Sequence, residues 1–90
     1  MAKILITPEE MDRIAGQFNS AATQSQDISS RLNSAIQGMQ GQWEGMTQQK
    51  FFQRYEEDKK NMLKYIEMLQ AVDTELKEIA TRFRTADQQS

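Results

Sequence analysis

The chain has 90 residues with 11 basic and 13 acidic side chains, a formal net charge of −2, and neither cysteine nor histidine. That length allows one domain with a marginal core. No disulfide or thiolate–metal site can staple it, and the usual general base and commonest metal ligand are missing. The charges are mixed in both halves and the longest apolar run is Ile4-Leu5-Ile6, which argues against nucleic-acid binding, a signal-peptide core and a membrane span.

Lys3-Ile4-Leu5-Ile6 reads as a short extended arm. The segment after it announces a helix. Thr7 supplies a hydroxyl at the N-cap, the chain's only proline follows at N1, and Glu10 sits at N3, the capping-box arrangement. The acidic pair Glu9-Glu10 suits the positive end of the helix dipole.

A first helix is predicted over about 8–40. Its heptad a positions are Met11, Phe18, Ser25, Leu32 and Met39. Its d positions are Ile14, Ala21, Ile28 and Ala35, with Ala15, Ala22, Ser29 and Ile36 at e. Three apolar-leaning positions in seven make the broad stripe of a bundle helix. The centre of that stripe is small (Ala21, Ala22, Ser25, Ser29), so two backbones can approach closely there, and a crossing with a partner chain is expected. Both patterns lapse where Gly38, Gly41 and Gly45 cluster around the single tryptophan in Trp43-Glu44-Gly45. A turn is predicted over about 41–46. Trp43 there is either a large apolar cap on the hairpin end or a rigid recognition element beside flexible glycines.

The second helix is predicted over about 47–87. Tyr55, Met62, Leu69, Leu76 and Phe83 fall at a; Phe51, Tyr65, Val72, Ile79 and Ala86 at d; Phe52, Ile66 and Ala80 at e. The pattern breaks at Glu56-Glu57-Asp58-Lys59-Lys60, read as a solvated stretch with local ion pairs. At this spacing Phe51, Phe52, Tyr55, Tyr65 and Phe83 are core residues rather than a ligand groove.

Two arms of ~35 residues are each ~50 Å long, and no third element covers their stripe. The predicted fold is therefore all-α: a two-helix hairpin in one domain, paired as an antiparallel homodimer that forms a four-helix bundle. The expected dimer interface is Ile14, Ala15, Phe18, Ala21, Ala22, Ser25, Ile28, Ser29 and Leu32. No catalytic constellation is present. The serines are scattered around the first helix, whose body has no lysine, and no oxygen-rich calcium loop occurs. No enzyme activity, cofactor or metal is expected.

The length, the two heptad helices, the absence of cysteine and Trp43-Glu44-Gly45 in the connecting turn resemble the WXG100 family, the early-secreted-antigen-like substrates of type VII secretion. Ile6-Thr7-Pro8-Glu9-Glu10 is similar to homologues from Gram-positive rods and cocci, and the resemblance spans the whole chain. It implies a helical hairpin that pairs antiparallel, usually as a homodimer in Firmicutes members. It also implies synthesis in the bacterial cytoplasm and export in the folded state, without a cleaved signal peptide. The partners it implies are a second copy or a second family member, and a translocase-like ATPase, with no nucleic acid and no stable membrane insertion.

The family's export signal has two parts, a Trp-X-Gly turn and a tail aromatic followed four residues later by an acid. Trp43 and Gly45 match the turn. Phe83 and Asp87 match the tail with Phe in place of the usual Tyr, and Ser90 stands where Firmicutes relatives continue with apolar residues. Phe83 fits a core a position equally well. Two other readings are open: a cytosolic helical adaptor or chaperone that binds proteins through its apolar stripe, and a membrane-active effector. The near-neutral charge and the polar Gln/Ser/Thr face disfavour the effector.

Overall fold

The computed structural model describes residues 6–42 and 45–89. Within them are two helices, α1 (Pro8–Met39) and α2 (Met46–Gln89), packed against each other along their length. The extended arm expected before Ile6 lies outside the described residues.

The start of α1 is fixed locally. Thr7 is in extended backbone, and its Oγ1 accepts a hydrogen bond from the Glu10 backbone N–H at 3.1 Å. Its carbonyl accepts from Met11 N at 3.0 Å. The Glu10 carboxylate, expected to reach back to the cap, lies instead 3.5 Å from Arg13. Half of the capping box is therefore built, and an i,i+3 ion pair takes the other half.

The seam between the helices centres on Ala22, Ile66 and Leu69, with Phe18, Ala21 and Met62 packed around them. Met11, Ala15 and Ala80 are also buried. The fully buried residues Ala15, Ala22 and Ala80 all occupy e positions, so α1 and α2 meet through their a and e rows. Small side chains there let the two backbones close up, and one antiparallel neighbour covers only part of a stripe three heptad rows wide.

Two interface assignments are thereby corrected. Ala15 and Ala22 have no exposed surface left for a partner chain. The close approach expected between chains at Ala22 is an approach within one hairpin. Asp73, another e position, is buried in the same seam at 9% exposure. Lys77 Nζ lies 3.0 Å from its Oδ1 without the alignment of a hydrogen bond, so the contact is mainly electrostatic.

The middle of the outward face is carried by Ile28 and Tyr65 of the d rows and Leu32 at a, which are about half exposed (49%, 50% and 54%). Tyr65, expected in the core, does not enter the core of the single hairpin. Ser25, Ile28, Asp58, Asn61, Met62 and Tyr65 line one groove, which puts the outward rows of α1 and α2 on the same side of the molecule. By helical spacing Val72 and Ile79 continue the Tyr65 row. The charge run that interrupts this row is satisfied locally, with Lys59 Nζ 2.9 Å from Glu56 and Lys60 Nζ 3.9 Å from Glu57.

Candidate functional site

The turn is held from both sides. Gln40 and Gln42 donate backbone hydrogen bonds to Gln37 O (3.1 Å) and Met39 O (2.9 Å), tightening the end of α1. Gly45 adopts φ +112°, a left-handed conformation that favours glycine, and its carbonyl accepts from Gln49 N at 3.3 Å to open α2. Gln48 Nε2 donates to Gln40 O at 3.0 Å and ties the two helix ends together. About two turns further along, Tyr55 OH donates to Asn33 Oδ1 at 3.3 Å.

An aromatic cluster forms the base of this end. The Phe51 and Phe52 rings meet edge to face at 5.4 Å, Phe51 stacks parallel to Tyr55 at 6.1 Å, and Lys59 Nζ sits 5.5 Å above the Tyr55 ring. All three aromatic residues are half-buried. Trp43 lies outside the described residues. So does the side chain of Asp87, whose backbone continues α2.

Phe83, the tail aromatic, is half-buried near the opposite end of α2. Gly45 and Phe83 are separated by nearly the whole of one unbroken helix, about 57 Å at 1.5 Å per residue. The molecule is 68 Å in its long dimension and 21 × 17 Å across. One chain therefore does not bring the turn and the tail together.

The remaining interface candidates divide by exposure. Ile28 and Leu32 are exposed on the outward face, while Ile14, Phe18, Ala21, Ser25 and Ser29 are half-buried at the edge of the seam. Met62, Tyr65, Val72 and Ile79 on α2 complete that face and were not assigned to it from the sequence. Their heptad phase could have found them, since Tyr65, Val72 and Ile79 hold the same d row as Ile28 on α1. Among the described residues, no group of three or more His, Cys, Asp or Glu side chains could hold a metal ion. No helix there is long and apolar enough to cross a membrane.

The model of the WXG100 family, described as proteins of 100 residues with WXG, matches residues 3–88. The chain belongs to the WXG100 family. It is 31% identical over 85 residues to protein YukE of Bacillus subtilis strain 168, covering 94% of this chain and 88% of that one. The crystal structure of EsxB, a secreted protein of Bacillus anthracis, superposes with a TM-score of 0.87 at 46% identity, over 94% of this chain and 99% of that one. EsxA of Geobacillus thermodenitrificans matches with a TM-score of 0.82 at 32% identity, over 97% of this chain and 95% of that one. Membership places the chain among small helical WXG100 proteins rather than enzymes.

Proposed function

We propose that this WXG100 protein is exported folded, as an antiparallel homodimer, by a type VII secretion system. Its translocase-like ATPase recognises a composite surface formed by Trp43 and Gly45 of one chain with Phe83 and Asp87 of the other. The observation that supports this most is the separation of the two halves of the signal by about 57 Å of continuous helix. An antiparallel partner sets the turn of one chain beside the tail of the other and removes that distance.

The outward apolar face supplies the contact such a dimer needs, through Ile14, Ala21, Ser25, Ile28 and Leu32 of α1 and Met62, Tyr65, Val72 and Ile79 of α2. Phe18 and Ser29 flank it at the seam. Packed face to face, two hairpins make a four-helix bundle in which the half-exposed Ile28, Leu32 and Tyr65 become core. EsxB of B. anthracis, similar over nearly its whole length, is a secreted protein, which favours export over a cytosolic adaptor role.

The test compares export with thermal stability for Trp43→Phe, Asp87→Asn and the double variant. Recognition of the surface predicts export losses in variants that melt like the wild type. Export that merely follows the melting temperature would mean these residues act through packing alone.

A further inference from the structure

Arg84 holds the only ion pairs that cross between the helices among the described residues. Every other one there links residues three or four apart within a helix. Arg84 Nη2 lies 2.7 Å from Asp12 Oδ2 and donates a hydrogen bond to it, with Glu9 Oε1 at 3.9 Å. The Arg84 and Asp12 side chains are 40% and 39% exposed, so the pair is partly desolvated and held more firmly than the exposed pairs on the helix surfaces.

Its place in the fold gives the pair a consequence. Among the described side chains of α2, the last fully buried apolar one is Ala80; Phe83 is half-buried, and Thr85 and Ala86 are exposed. Among the described side chains, Arg84 makes the last polar tie between α2 and α1 before the helix runs on to Gln89. Arg84 also lies about five turns beyond Ile66, and Phe83 about five turns beyond Tyr65. The clamp therefore sits on the seam row, directly against α1. Phe83 is turned about 100° from it and is half-buried, at the a position that Leu69 and Leu76 hold earlier in the helix.

We propose that Arg84 is a positioning residue for the export signal: its salt bridge to Asp12 orders the last turns of α2 and fixes the direction in which Phe83 is presented. This rests on the composite-surface reading above. Arg84 need not touch the ATPase, because it acts through the helix that it pins.

The experiment uses the full chain in cells that carry the secretion system, and the purified protein alongside. The variants are Asp12→Asn, Arg84→Gln and the exchanged pair Asp12→Lys with Arg84→Glu. Trp43→Phe reports independently on the export reading. Amide exchange over residues 81–89 is expected to rise roughly fivefold in the two single variants and to return towards wild type in the exchanged pair. Export is expected to fall roughly threefold or more in the single variants and to recover in the exchanged pair. Wild-type export of Asp12→Asn and Arg84→Gln beside a defective Trp43→Phe would overturn the positioning role. So would an exchanged pair that restores slow amide exchange and not export, since Arg84 would then be read directly. Normal export of Trp43→Phe would overturn the composite-surface reading instead, and amide exchange would still decide whether Arg84 orders the helix end.

Discussion

Gly45 holds φ +112°, and a Cβ added there would meet no atom of the described residues within 4 Å. The space is open and the backbone is the constraint, so Gly45→Ala is expected to cost about 1–3 kcal/mol through strain alone. Urea unfolding at fixed protein concentration measures it, and an unchanged midpoint would remove the conformational role. At the other end of α1, Thr7→Ala should cost about 1 kcal/mol by freeing the Glu10 amide. Faster amide exchange over residues 8–12 is the signature. Thr7 and Pro8 could be read directly from the sequence, because a cap is local chemistry. The Glu10 carboxylate could not, because Arg13 one turn away competes for it. Asp73 was silent in the sequence, for its heptad row had been followed only through its apolar members. Its carboxylate is buried beside a single lysine, an arrangement that often contributes less than apolar packing. Asp73→Leu is therefore expected to raise stability by about 1 kcal/mol. A fall of that size in urea unfolding would show that the Lys77 pair outweighs its desolvation.

At the scale of the helices, periodicity identified the stripe on each element and left open which part of it meets which neighbour. The rows at a, d and e together span more surface than one antiparallel helix covers. The division was decided by side-chain size: alanines at e allow the intramolecular approach, and the larger d residues Ile28 and Tyr65 are left outside. Size along a row is visible in sequence, but a contact within a chain and a contact between chains look alike there. That is why Ala15 and Ala22 were placed in the dimer interface. Ala22→Leu should overpack the hairpin seam against Ile66 and Leu69 and cost on the order of 1–3 kcal/mol. The same substitution at Ala35, an exposed d position, should cost far less than at Ala22. Equal losses at the two sites would contradict the assignment of the e row to the seam.

At the scale of the whole molecule, the hairpin has a radius of gyration of 20.3 Å, against about 12 Å for a compact chain of 90 residues. Its accessible surface of 7182 Å² exceeds the about 5400 Å² expected of a compact monomer of its mass. A body this elongated with half-exposed Ile28, Leu32 and Tyr65 has the shape of half a bundle. Size and composition pointed to a partner from the start, since neither disulfide nor metal could supplement the core. The separation of turn from tail was already legible in the second helix predicted over about 47–87, and α2 runs unbroken from Met46 to Gln89. Stability should accordingly depend on protein concentration, with Tm rising as the dimer is favoured by mass action.

The central claim is that the export signal is assembled between two chains, and co-expression of complementary variants tests it most directly. A Trp43→Phe chain paired with an Asp87→Asn chain forms a mixed dimer with one fully wild-type surface, built from the turn of the second and the tail of the first. Each variant alone should be retained in the cell, and the two together should appear in the medium as a mixed dimer. Retention of both variants when they are co-expressed, with the mixed dimer shown to form, would contradict the account.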